Sequence, residues 1–301
     1  MKNLLRVFIS FSLLFAGYGY SCDKHGITGI VEENDLYIGP YEKNVSNVTQ
    51  SDFTDAIDRI TKIYRNQFKR QGMNLHIKNN WIDGKVNAYA QQSGRTALVN
   101  VFGGLARHHT MSKDSLALVI CHELGHHIGG IPKKLSGAAS YSYGTKKYSW
   151  ASNEGQADYF ASMKCLRHFF EEEDNIRAIK GKVVPSFVRI SCQNQFNMAE
   201  DVAICVRSAL AGYSLANLFN SVRGRMGQLS FENKDPSKVL KTYDNHPMPQ
   251  CRLDTYFAGA LCDKDANDEV SNSEMNKGVC SREEGYVIGV RPLCWFRPYY
   301  Q

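Results

Sequence analysis

From Ser51 onward the apolar residues Phe53, Ile57, Ile60, Ile63, Tyr64 and Phe68 recur at three- and four-residue steps. That period predicts an amphipathic helix with Ser51 as its N-cap, ending near Gly72. Three short apolar runs follow, Leu75 to Ile77, Val86 to Ala90 and Thr96 to Phe102. Asp83-Gly84 and Ser93-Gly94 separate them as turn signals, so a small antiparallel sheet is expected. Asp114 to about His127 is predicted helical, and Leu116 through Cys121 is apolar on nearly every face, which implies burial. Gly129, Gly130 and Pro132 close that helix. Residues 129–151 are rich in Ser, Tyr, Gly and Lys. They read as a loop longer than the ~12 to 15 residues usual for structureless connections, and so as a flap over a functional cleft. A second helix starts at Ser152 or Asn153. Asn153 and Gln156 resemble a capping box, and Ala157, Phe160, Ala161 and Cys165 supply the stripe that would face a core. The longest helical pattern runs from Met198 to about Met226 and is expected in the core. The whole reads as an α+β fold, mostly helical with a small antiparallel sheet.

Ahead of these elements, Lys2 and Arg6 precede an apolar stretch from Val7 to Ala16, and small residues at Gly17, Gly19 and Ser21 follow. This is the pattern of an export signal over residues 1–21, too short for the ~20 residues of a membrane span. No later segment is expected to be long and apolar enough to span a membrane. Of 301 residues, 36 are basic and 30 acidic, and the formal charge of +6 falls by two when Lys2 and Arg6 leave. So modest a charge, with no dense basic cluster interleaved with aromatics, argues against nucleic acid as a partner. All nine cysteines lie beyond the signal, at Cys22, Cys121, Cys165, Cys192, Cys205, Cys251, Cys262, Cys280 and Cys294. Export predicts disulfides, and in the polar C-terminal stretch they would substitute for a core. An odd total leaves one thiol over. Cys22 would stand at the mature N-terminus, but Gly19 and Tyr20 do not match the Leu-Ala/Ser pair that usually precedes a lipidated cysteine.

The chemistry concentrates at His122-Glu123-Leu124-Gly125-His126. Two histidines four residues apart share one face of a helix and reach a single ion. Glu123 beside them is placed to take a proton from a water whose pKa a zinc ion lowers to roughly 7. A hydrolytic zinc site takes three protein ligands and leaves a fourth position to water. Glu154 is the choice for the third, because it opens the next helix. Asp158, one turn later on the same face, would accept the free N–H of a ligand imidazole. His127, Asp174 and the pair His108-His109 are the rival ligands.

With these residues in view, the chain resembles the HtpX-like gluzincin metallopeptidases, a group that includes the CaaX prenyl endopeptidases and several periplasmic quality-control proteases. The resemblance covers about residues 52 to 260. Asn87-Ala88-Tyr89-Ala90 is similar to the family's Asn-Ala-Phe-Ala strand, and Gly94-Arg95 with Val99 to Leu105 to the turn and strand after it. Asp114-Ser115-Leu116-Ala117 precedes the metal helix as the family's Asp-Glu-Leu-Ala run does. Asn153 to Asp158 is similar to its Glu-x-x-Ala-Asp segment, and His246-Pro247 with Arg252-Leu253 to its late His-Pro and Arg-Ile pairs. The resemblance implies a zincin-type fold with Glu154 as third ligand and active-site roles for His246 and Arg252. His246 would stabilise an oxyanion, and Arg252 would hold Asp158. The strand at Asn87, Ala88, Tyr89 and Ala90 is expected to pair with an extended substrate peptide by edge addition. Gly155, where the family has a bulkier residue, and the cysteine-bearing tail depart from the pattern.

The expected organisation is a signal peptide at 1–21, an irregular lead-in at 22–50, a zinc metallopeptidase domain at 51–260 and a cysteine-containing extension at 261–301. The expected activity is that of an exported, periplasmic or secreted endopeptidase using one zinc ion on polypeptide substrates, with envelope proteins as further partners. The alternatives are a zinc-bound but inactive chaperone or scaffold of the cell envelope, and a secreted structural protein whose core merely uses the histidines.

Overall fold

The structure is a computed structural model that describes residues 28–43, 45–135, 148–224 and 227–298. The export signal at 1–21, Cys22, Met226 and the middle of the expected flap lie outside the described residues. After a two-residue strand β1 (Thr28–Gly29), the first long helix is α1 (Gln50–Arg70). Its cap is Thr49, two residues before the expected Ser51. The Thr49 hydroxyl accepts from Asp52 N, and the Asp52 carboxylate accepts from Thr49 N at 2.9 Å, a reciprocal capping box. The predicted apolar stripe faces inward, with Phe53, Ile57, Ile60, Tyr64 and Phe68 buried.

β2 (Asn74–Asn80), β3 (Ala88–Ser93) and β4 (Thr96–Phe102) form one sheet with β1 in the order β1-β3-β4-β2. β3 and β4 make the expected antiparallel hairpin, but β2 runs parallel to β4, with Leu75 opposite Ala97 and Ile77 opposite Val99. The sheet is therefore mixed. The physical reason is that Asp83-Gly84 does not close a hairpin: Gly104 N bonds to Asp83 O and Ile38 N to Gly84 O, so residues 81–87 cross the sheet end instead of reversing beside β2.

After α2 (Gly103–Arg107), α3 (Lys113–Ile128) starts at an N-cap Ser112 that exchanges bonds with Ser115. Residues 114–128 are all buried, as the unbroken apolar run Leu116–Cys121 predicts. The expected flap is structured at both ends: β5 (Lys133–Leu135) and β6 (Tyr148–Ser152) pair antiparallel. α4 (Glu154–Phe160) is capped by Asn153, which accepts from Gln156 N at 2.9 Å. Gln156 does not complete a capping box, because its amide donates to Gly129 O and accepts from Arg291. A π-helical turn at Ala161–Cys165 carries the helix into α5 (Leu166–Phe170). Then come α6 (Asn175–Ile179), α7 (Ser186–Gln195), α8 (Ala199–Val222) and α9 (Pro249–Leu261).

α8 corrects one expectation, since it is long and apolar enough, by length and composition, to cross a membrane. Here most of it is buried in protein, and its Arg207 forms ion pairs with Asp114 and Glu173 at 2.7 and 2.6 Å.

Four disulfides join Cys121 to Cys165, Cys192 to Cys205, Cys251 to Cys294 and Cys262 to Cys280. They fit an oxidising, exported setting. The last two staple the tail, whose Trp295 and Val279 pack on Tyr159 and Met163 of the α4–π segment. Gly155 is explained by that packing: a Cβ there would lie 2.1 Å from the Trp295 ring. Gly155 and the cysteine-bearing tail are two halves of one contact.

Candidate metal centre

α3 and α4 cross closely because Gly125, between the two histidines, has no side chain: a Cβ would sit 2.9 Å from Ala157 O. The Cys121–Cys165 disulfide joins the same two helical segments one residue before His122. The crossing brings His122, His126 and Glu154 together, all fully buried, with ligand atoms close enough to share one ion. The two Nε2 atoms are 3.1 Å apart, Glu154 Oε2 is 3.2 Å from His122 Nε2, and Oε1 is 3.7 Å from His126 Nε2. Tetrahedral ligands at ~2.0 to 2.1 Å from a metal stand about 3.3 Å apart, so these spacings suit such an ion.

The outer contacts agree. His126 Nδ1 donates to Ser152 O at 2.8 Å and His122 Nδ1 to Asp158 Oδ1 at 2.7 Å. With Nδ1 donating, each neutral ring turns an Nε2 lone pair toward the other, an arrangement a shared cation relieves. A proton is the alternative relief: burial lowers the pKa of His122, but Asp158 and Glu154 more than reverse this, to about 9. His126, buried without a carboxylate on Nδ1, is pushed well below the usual histidine range. Glu154 resists its own desolvation and stays well below the ordinary carboxylate range, held by His246, Lys134 and His126.

Glu123 lies against this group with both oxygens buried and, among the described residues, without a hydrogen-bond partner. Burial raises its pKa to about 8, with Glu154 adding to the rise and His122 and Arg252 opposing it. Asp158 is held low, against its desolvation, by Arg252 and His122. Arg252 grips it through Nε and Nη2, both at 2.8 Å, and Tyr256 donates its hydroxyl to the same carboxylate. His246 Nε2 is 3.3 Å from Glu154 Oε2 and donates to Gly29 O at 2.7 Å.

Among the described residues the rival ligands do not join this group. His127 stacks on Trp150, Asp174 caps α6, and His108 bonds Thr110 and Ser221 with His109 against its ring. A second geometric grouping, Asp235 with Cys251 and Cys294, has its cysteines in a disulfide and offers no thiolate.

The site has two further members, Tyr256 and Lys134, and the loop-rich surroundings of Lys134 mark it in the sequence as a solvated charge. Tyr256 stands one helical turn after Arg252, a spacing that could have flagged it. Lys134 Nζ lies 2.8 Å from Glu154 Oε1, delivered by a β5–β6 pairing in which residues 149–151 face Lys134 alone. No local pattern announces that irregularity. The edge expected to take a peptide at Asn87–Ala90 is not open, because β1 pairs with β3 there, Thr28 opposite Ala90 and Gly29 opposite Tyr89. Asn87 spends its amide on Val31 N and O.

Compared with protein-family models, with curated proteins and with solved structures, the chain finds no match in any of the three.

Proposed function

We propose that this protein is a zinc-dependent endopeptidase of zincin type, related to the HtpX-like group, exported to the periplasm or secreted and acting on exported or misfolded polypeptides. The observation that carries the reading is the convergence of His122, His126 and Glu154, with the partnerless Glu123 carboxylate beside them. Two imidazoles and one carboxylate are the donor set of a hydrolytic zinc site, and zinc there would acidify water and polarise a carbonyl. Glu123 would be the base that takes a proton from the attacking water and returns it to the leaving amine. His246, near Glu154 and already donating to a peptide carbonyl, supplies an N–H where negative charge builds on the substrate oxygen. Asp158, clamped by Arg252 and Tyr256, holds His122 with its Nε2 toward His126 and Glu154, where it would serve as a ligand.

Full burial of all three ligands and of Glu123 favours a second reading, a zinc-holding chaperone or scaffold without catalysis. One comparison separates them. Purified protein should carry about one zinc per chain and digest casein, and Glu123→Gln should keep zinc and fold while losing roughly 10²- to 10⁴-fold in rate. Stoichiometric zinc with equal rates in both proteins would leave the scaffold reading, and absence of zinc would reject both.

A further inference from the structure

The β3 edge, His246, Arg252 and Asn87 are all engaged by the backbone of residues 28–31. β1 runs antiparallel along β3, and Ile30 N extends the ladder to Ala88 O at 3.0 Å. The Gly29 carbonyl takes the His246 N–H at 2.7 Å, from a nitrogen 3.3 Å from the metal-ligand oxygen Glu154 Oε2. The next carbonyl, of Ile30, takes Arg252 Nη1 at 2.7 Å. Val31 is held at both backbone atoms by Asn87. A two-residue strand, Thr28–Gly29, is thus added to the β3 edge, and where the chain bends at Ile30 and Val31 its consecutive carbonyls at Gly29 and Ile30 lie on two cationic or N–H groups beside the candidate metal ligands.

The side chains of the segment describe the groove. A Cβ on Gly29 would stand 3.1 Å from both Asn87 Oδ1 and the Tyr89 ring, so that position accepts little beyond hydrogen. Ile30 is wholly buried within the main core, and a chain replacing it must refill the same volume or leave a cavity.

We propose that residues 28–31 are a resident pseudosubstrate, and that the substrates of this site are extended polypeptides able to exchange with it. Such chains carry a small residue, glycine first, with its carbonyl on His246, followed by a branched aliphatic residue with its carbonyl on Arg252. The inference rests on the hydrolase reading for the word substrate, but the strand exchange is measurable without turnover. Asn87 and Tyr89 set the small-residue requirement, and the buried Ile30 site sets the aliphatic one.

The test uses the exported chain carrying Glu123→Gln and a fluorescent peptide with the sequence of residues 28–33, read by anisotropy. Adding Gly29→Val should loosen the resident strand and raise peptide affinity at least tenfold. A peptide with valine in place of its glycine should bind at least tenfold more weakly to both proteins. If Gly29→Val melts the fold by circular dichroism, Gly29→Ala takes its place, with a gain of about threefold expected. Equal affinity for the two peptides, or no gain on loosening the strand, would overturn the proposal. Zinc content and casein digestion by the unsubstituted chain report separately on the hydrolase. Exchange without zinc would keep the pseudosubstrate strand and remove the enzyme, whereas zinc and digestion without peptide exchange would do the reverse.

Discussion

Asp158 shows how much one carboxylate can decide. Its two oxygens receive His122 Nδ1, two nitrogens of Arg252 and the Tyr256 hydroxyl, in a place with no solvent. An asparagine has one acceptor oxygen, and its amide N–H would face one of those donors. Asp158→Asn should therefore weaken zinc binding about 10- to 100-fold, measured by competition with a chromophoric chelator. Arg252→Lys keeps the charge but loses the two-pronged grip and should fall between wild type and Asp158→Asn in the same titration. At this scale the sequence was informative where spacing is helical. His122 and His126, and Glu154 and Asp158, are each four apart on one helix, and all four meet. Lys134 was not legible, because an irregular strand pairing carries it to Glu154.

Among the elements, α3 and α4 must keep their crossing to keep His122, His126 and Glu154 within reach of one ion. The Cys121–Cys165 disulfide locks it, and closing a loop of 44 residues restricts the unfolded chain by about 4 kcal/mol on the chain-entropy model. Replacing both cysteines by alanine should lower stability by roughly 2 to 5 kcal/mol in urea melts and weaken zinc binding in parallel. From the other side, Trp295 fills the space over Gly155. Gly155→Ala should destabilise by at least the ~1 to 3 kcal/mol of overpacking, and part of that loss should return when Trp295→Leu is combined with it. Purely additive effects in that double-mutant cycle would refute the coupling. Gly155 looked in the sequence like a weakness of the helix, because its partner lies 140 positions away.

For the molecule as a whole, a bound ion is a stability term. Zinc at 100 times its dissociation constant should add about 2.7 kcal/mol, seen as a rise in Tm that a chelator reverses. The acid limb has its own source in His108, where burial, aided by neighbouring His109, pushes the pKa from 6.5 down to about 4. The unfolded chain binds that proton first, so this contribution is complete above about pH 6.5 and is lost as pH falls toward 4. A His108→Gln protein should show a shallower drop in Tm between pH 6.5 and 4. Taken by itself, the sequence determined the local matters: helix faces with a period near 3.6, the i,i+4 histidines, the hairpin of β3 and β4, and enough cysteines to expect cross-links. Tertiary structure alone decided that β2 joins β4 in parallel, which cysteines pair, that a tryptophan near the C-terminus covers the ligand helix, and that residues 28–31 fill the groove at β3. The division has a physical cause. Hydrogen bonds and side-chain faces within one element repeat with its own period, whereas a contact between distant segments depends on shape and volume that no short stretch of sequence encodes.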